Sequence, residues 1–137
     1  MINYNYETDF KLEDESKLSC WIEASIRSEN YNLGEINYIF CDDAYLHKLN
    51  MEFLEHDTLT DIISFDYTVG KELHGDIYIS IERVADNAKD FGVDVSEELC
   101  RVMIHGVLHY CGFKDKTDED AKVMRDKENF YLRSYVV

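Results

Sequence analysis

The chain has 137 residues, a hydrophobic fraction of 45% and a formal net charge of −15. This length and apolar content suit one domain over residues 1–137 with a hydrophobic core, and they exclude a disordered chain. The charge disfavours a broad basic nucleic-acid surface, so any RNA contact has to depend on a local feature such as a bound cation. No apolar run approaches the roughly 18 residues of a membrane helix, and the polar start lacks a signal-peptide pattern. We therefore predict a cytoplasmic protein without membrane contact.

The spacing of apolar residues predicts nine elements along the chain. In order, these are a strand at Ile2–Tyr6, a helix at Glu15–Ser28, a strand in EINYIFC (35–41), a helix capped by Asp42 and Asp43, strands in DIISFDY (61–67) and HGDIYISI (74–81), a helix at Ile81–Phe91, a helix capped by Ser96 that ends near Cys111, and a last helix from Thr117–Asp120 to about Tyr135. We predict an α+β fold in which a single small mixed sheet of about four strands packs with about five helices.

The helical stripes also predict which side chains are buried. The inward residues are Leu18, Trp21, Ile22, Ser25 and Ile26 in the first helix, Tyr45, Leu46, Leu49 and Phe53 in the second, and Leu99, Val102, Met103, Val107 and Leu108 in the fourth. The four cysteines, Cys20, Cys41, Cys100 and Cys111, form no C-x-x-C pair and lie among apolar residues. Buried, reduced thiols are favoured over a disulfide or a metal cluster.

The strongest chemical signal is the stretch HGVLHYCGFKD. Its two histidines, His105 and His109, are four residues apart, so on a helix both imidazoles can point at one position. Gly112 follows, and helices commonly end at a glycine. The chain can then turn back and bring Asp115 beside that position. Two imidazoles and a carboxylate are typical of a hydrolytic zinc site that keeps room for water. The alternative is a pair of partly buried histidines in a core helix.

Gly106 stands where the metalloprotease motif H-E-x-x-H carries its glutamate base. Because glycine cannot take up a proton from water, a peptidase of that type is disfavoured. Glycine inside a helix also costs about 0.5–1 kcal/mol relative to alanine. We therefore predict that a strand or the substrate approaches this backbone closely.

Three segments together resemble the YbeY endoribonuclease family over roughly residues 34–130. HGVLHYCGFKD resembles H-G-x-L-H-L-x-G-Y-D-H, EHDTLTDIISF resembles K-D-x-P-T-D-V-L-S-F, and LHGDIYIS resembles L-G-D-I-x-I. The matching residues are Asp57, Thr60, Asp61, Ser64, Phe65, Leu73, Gly75, Asp76, Ile77, Ile79, His105, Gly106, Leu108, His109, Gly112 and Phe113.

This resemblance implies single-strand-specific, metal-dependent endoribonuclease activity in ribosomal RNA processing, including 16S rRNA 3′-end maturation and ribosome quality control. The implied partners are single-stranded RNA or rRNA and the ribosome or small-subunit-associated factors. One divalent metal ion, most often Zn²⁺, would be held by His105, His109 and Asp115. Water on the ion or the RNA 2′-hydroxyl would attack phosphorus. No protein base is assigned, and Ser64 is a candidate to face the metal or the substrate.

One departure from the family pattern is Asp115, where the family usually has a histidine. A carboxylate is a good ligand, but it offsets one unit of the ion's charge, weakens the polarisation of bound water and tolerates Mn²⁺ better than an imidazole does. Asp118 and Asp120 are alternatives, although a role in capping the last helix is the simpler account of both.

A second departure is the loss of a cation before the T-D segment, where Leu54 replaces the family's arginine and His56 its lysine. Arg101, Lys114 or His56 are candidate substitutes for holding a phosphate. The best local candidate for a phosphate-facing rim is the basic run Lys114, Lys116, Lys122, Arg125 and Lys127.

Two other functions remain open. A metal hydrolase with a non-RNA substrate is favoured by the negative charge and the missing arginine. A non-catalytic ribosome-assembly factor would hold a structural metal, and because structural zinc usually has four protein ligands, an open coordination position separates it from an enzyme.

Overall fold

The computed structural model describes residues 1–54 and 60–135, without the side chain of Leu54. Over these residues the chain forms four strands and five helices. They are β1 (Ile2–Tyr6), α1 (Glu15–Ser28), β2 (Asn32–Cys41), α2 (Asp43–Leu54), β3 (Ile62–Asp66), β4 (Glu72–Ser80), α3 (Ile81–Phe91), α4 (Val95–Tyr110) and α5 (Asp118–Tyr135). The predicted α+β class is confirmed, and β2 and β4 begin two or three residues before their predicted starts.

The four strands form one mixed sheet in the order β1-β2-β4-β3. Strands β1 and β4 run parallel to β2, whereas β3 runs antiparallel to β4. The main core lies on one face, under α1, α4 and α5, and a smaller cluster of Cys41, Leu46 and Ile63 lies on the other face under α2. In the central strands β2 and β4, alternate side chains are buried in the main core, whereas most of those on the other face are half-buried.

Helix α4 is one of the helices that cover the main core, and it carries the two histidines. All five of its residues that were predicted to point inward are buried. The Tyr38 hydroxyl in β2 donates a hydrogen bond of 2.9 Å to the Met103 carbonyl, which joins the helix to the sheet. The histidines are therefore held on a rigid, packed element.

Gly106 lies where α4 crosses β3 and β4. A Cβ atom at this position would lie 3.0 Å from Ile77 Cδ1 and 3.1 Å from Ile62 Cδ1, closer than the usual 3.5–4.0 Å between carbon atoms. The predicted close approach by strands is confirmed. The glycine lets the helix pack directly on the sheet beside His105.

Two predictions about helices are wrong. Helix α4 begins at Val95, so Ser96 lies within its first turn and is not its cap. In α2, Tyr45 and Phe53 are 39% and 61% exposed, although their rings contact Tyr78 and Phe65 of the sheet, because the buried cluster under this helix is small.

The cysteine prediction holds for three of the four thiols. Burial raises the pKa of Cys41 to about 12, of Cys100 to about 11 and of Cys111 to about 12, so these thiols stay protonated and unreactive at neutral pH. Cys20 is exposed, because it lies on the solvent side of α1, away from the stripe that faces the core.

Candidate metal centre

His105 and His109 lie one turn apart on α4 and converge as predicted. Their rings meet edge to face, with centroids 4.5 Å apart, and their Nε2 atoms are 2.9 Å apart. The side chains are 21% and 31% exposed. The two imidazoles therefore address one point that solvent can reach.

Asp115 returns to the same point after the turn that ends α4. Gly112 has a φ of 98°, which glycine adopts without strain and which reverses the chain. The Asp115 Oδ2 atom then lies 3.3 Å from His105 Nε2 and 3.4 Å from His109 Nε2. The structure thus brings together the three side chains that were predicted as ligands.

The three donor atoms fit one divalent ion. Ligands on a tetrahedral zinc with bonds of about 2.0–2.1 Å lie about 3.3 Å apart, close to the three separations observed. His105 Nδ1 lies 2.6 Å from a Glu128 carboxylate oxygen and His109 Nδ1 lies 2.9 Å from the Phe113 carbonyl oxygen. In their neutral forms both imidazoles donate from Nδ1 to these acceptors, so both Nε2 lone pairs face the Asp115 carboxylate. Electron pairs this close repel one another unless a proton or a metal ion lies between them, so the set could hold a metal.

Glu128 in α5 also belongs to the site, although it was not predicted from the sequence. One carboxylate oxygen accepts from His105, and the other accepts from Arg101 Nη1 at 3.0 Å. Burial alone would raise the pKa of Glu128, but the hydrogen bonds and charges of His105 and Arg101 lower it on balance. A usable signal was present: Glu128 lies on the same face of its helix as the buried Met124 and Leu132, where a carboxylate needs a partner.

A cavity of about 310 Å³ opens beside His105. It is lined by Asp61, Ile62, Asn87, Phe91, Glu98, Arg101, Val102, His105, Asp115, Arg125 and Glu128. Burial raises the pKa of Asp61 and of Glu98, and Asn87 Nδ2 donates to the Asp61 carboxylate at 3.4 Å. Asp61 therefore lies in the wall of this cavity.

Ser64 lies in β3 and is exposed. Strand alternation places it on the same face as Ile62, whose side chain approaches Gly106. Its hydroxyl lies beside that of Tyr110, which donates to the Phe65 carbonyl at 2.9 Å. Ser64 is thus near the end of α4 but does not line the cavity beside His105, and its role stays a prediction.

The residues of the predicted basic rim lie in different environments. Arg125 lines the cavity, whereas Lys127 pairs with Glu29 at 2.8 Å on another side of α5. Lys114 is exposed in the turn before α5. Arg101 also lines the cavity, where it bonds Glu128, so one of the candidate substitutes for the missing cation does lie near the metal centre.

The remaining polar candidates have structural surroundings. His74 pairs with Glu72 at 2.7 Å on β4. Asp76 lies within β4 and accepts from Asn37 at 2.9 Å. The Asp120 N–H donates to Thr117 Oγ1 at 3.0 Å, as expected for the cap of α5.

The predictions for Asp57 and His56 lie outside the described residues. The same holds for the side chain of Leu54. Among the described residues, no helix is both long and apolar enough to span a membrane.

The fold and the site together define a small α+β protein with a His–His–Asp group suited to a divalent metal. The chain belongs to the YbeY family: residues 2–136 match the family described as Endoribonuclease YbeY. It is 66% identical over 129 residues to Endoribonuclease YbeY of Flavobacterium johnsoniae, covering 94% of this chain and 93% of that one. Its identity to Endoribonuclease YbeY of Flavobacterium psychrophilum is 60%, covering 100% and 98%. The solution structure of TM1509 from Thermotoga maritima matches with a TM-score of 0.71 at 27% identity, covering 98% of this chain and 89% of that one.

Proposed function

We propose that this protein is a metal-dependent endoribonuclease that cleaves single-stranded RNA. The observation that carries this proposal is the convergence of His105 Nε2, His109 Nε2 and the Asp115 carboxylate on one solvent-accessible point. Membership of the YbeY family supplies the substrate class. The ion, for which Zn²⁺ is the expected identity, would supply positive charge to polarise a phosphodiester oxygen and to make water acidic.

The chain's own residues would set the geometry of that chemistry. The two histidines and Asp115 would hold the ion through three protein atoms, which leaves coordination positions for water and substrate. Among the described residues these three donors form the whole convergent group, and a set of three favours an enzyme over a structural metal site. Glu128 and the Phe113 carbonyl would keep both imidazoles in the tautomer that presents Nε2. Ser64 is proposed to contact the substrate from β3.

The biological setting follows from the family and is part of the proposal. The substrate would be ribosomal RNA, with cleavage serving 16S rRNA 3′-end maturation and ribosome quality control in the cytoplasm. The ribosome or small-subunit-associated factors would be the partners. Because the protein carries a net charge of −15, RNA has to be held by the ion and by local cations.

Metal analysis of the purified protein, combined with an RNA cleavage assay, tests the proposed function. We expect about one divalent ion per chain, cleavage of a single-stranded RNA that stops with a chelator, and recovery when Zn²⁺ or Mn²⁺ is added. Duplex RNA and single-stranded DNA are the control substrates. Cleavage that continues at full rate after the ion has been removed would refute metal dependence.

The substitution Glu128→Gln is expected to weaken metal binding by about 10- to 100-fold. Glu128 accepts hydrogen bonds on both oxygens, from His105 and from Arg101, so the amide group of glutamine would face one of these donors. His105 would then either lose its acceptor or keep only a neutral amide oxygen, which orients the ring less strongly than a carboxylate does. Competition with a chromophoric chelator measures the affinity.

Glu119→Gln, an exposed change in the first turn of α5, is the matched control. The thermal unfolding of both metal-free variants shows whether the fold is kept. A folded Glu128→Gln variant with the metal affinity of the Glu119→Gln control would mean that Glu128 does not orient His105.

A further inference from the structure

We propose that Phe91 and Arg125 form a subsite for one unpaired nucleotide of the RNA strand, beside the metal centre. The inference rests on the proposed function, because it assumes that RNA is the substrate. Its starting point is the cavity next to His105, which Phe91 enters from the end of α3 and Arg125 from α5. The base would stack on the Phe91 ring, and the guanidinium of Arg125 would hold an adjoining phosphate.

Phe91 is a suitable stacking surface because its ring is not used in the core. It is the last residue of α3 and is 58% exposed. The Arg125 Cζ atom lies 6.0 Å from the centroid of this ring, so the cation and the aromatic face are already neighbours. Nucleobases stack on such rings without regard to sequence, but only when they are unpaired.

Arg125 is the less committed of the two arginines in the cavity. Arg101 is 16% exposed and donates to Glu128 at 3.0 Å and to Asn129 at 2.9 Å, which engages both of its Nη atoms. Arg125 is 52% exposed and its Nη1 lies 3.6 Å from Glu128, too far for a hydrogen bond, and the two oxygens of Glu128 already accept from His105 and Arg101. Its guanidinium can therefore turn to a phosphate at little cost.

Two of the four acidic residues of the cavity, Glu98 and Glu128, lie deeper than these two groups and are 4% and 5% exposed. Asp61 is half-buried and accepts from Asn87, and the Asp115 carboxylate faces the metal site. A strand that crosses the cavity would therefore meet the Phe91 ring and Arg125 before it met the buried carboxylates. Arg125 would therefore place a cation beside the metal centre from α5.

Binding of a fluorescent, single-stranded 2′-O-methyl RNA to the metal-loaded protein tests this subsite by anisotropy. We expect Arg125→Ala and Phe91→Ala each to weaken binding by about 5- to 100-fold, with metal content unchanged. Arg125→Ala should also reduce the slope of log affinity against log salt by about 0.7, the value for one lost contact to a single-stranded phosphate. The affinity for duplex RNA should be the same in Phe91→Ala and in the wild type.

The matched controls remove the same groups elsewhere on the surface. Arg27→Ala removes an arginine of α1 whose side chain is 71% exposed, and Phe130→Ala removes a phenylalanine that is 54% exposed. If the wild type binds and cleaves RNA but the cavity variants bind like these controls, the subsite is refuted and the proposed function stands. If the metal-loaded wild type neither binds nor cleaves single-stranded RNA, the proposed function itself fails.

Discussion

The substitution His109→Ala is expected to abolish metal binding and to reduce RNA cleavage by about a thousandfold or more. His109 contributes one of three donor atoms, and an ion held by only His105 and Asp115 would be bound weakly. The change also removes the hydrogen bond from Nδ1 to the Phe113 carbonyl, which helps to hold the turn that carries Asp115. Loss of the ion removes several kcal/mol of transition-state stabilisation, and each 1.36 kcal/mol corresponds to a factor of ten in rate.

Elemental analysis and a cleavage assay on one preparation measure both effects. His74→Ala is the matched control, because it removes a histidine that pairs with Glu72 on β4 rather than one at the metal centre. The control should keep one ion per chain and the wild-type cleavage rate. Cleavage by His109→Ala at the wild-type rate would disprove the assignment of the site.

The substitution Asp115→Ala is also expected to remove the metal, whereas Asp115→His should keep it. Asp115 Oδ2 lies 3.3 Å and 3.4 Å from the two Nε2 atoms, so alanine leaves only two ligands. Histidine would restore the family's usual third donor. Because a neutral imidazole does not offset the charge of the ion, Asp115→His should polarise water more strongly and should favour Zn²⁺ over Mn²⁺ more than the wild type does.

Metal titrations with Zn²⁺ and Mn²⁺ on all three proteins test this prediction. Asp118→Ala is the control, since Asp118 begins α5 and does not belong to the convergent group. Full occupancy in Asp115→Ala would show that the third ligand lies elsewhere. An unchanged ratio of Zn²⁺ to Mn²⁺ affinity in Asp115→His would contradict the account of the carboxylate.

The predictions of burial that failed share a physical cause. Tyr45 and Phe53 fit the inward stripe of α2 and contact Tyr78 and Phe65 of the sheet, yet they stay exposed because the buried cluster under that helix is small. Cys20 likewise belongs to a helix with a correct stripe but lies on its other side. A periodic pattern gives the face of a helix that is most apolar. How wide a face is covered depends on which other elements pack there.

The local sequence was sufficient for the predicted ligands, because their arrangement depends on a short stretch of chain. An α-helix places His105 and His109 on one face whatever the rest of the fold is, and Gly112 permits the turn that brings Asp115 back. The nine elements could also be predicted, since apolar spacing is a property of each segment. The structure shows that the side chains of His105, His109 and Asp115 converge on one point.

Only the tertiary structure decided what surrounds those ligands. Glu128 follows His105 by 23 residues and Arg101 by 27, and Phe91 comes from a third helix. No spacing in the chain relates these residues, because their contacts depend on how α3, α4 and α5 pack against one another on the sheet. Local periodicity therefore predicted the candidate donors for the ion. Helix packing supplied the carboxylate that orients His105 and the cavity in which we place the RNA strand.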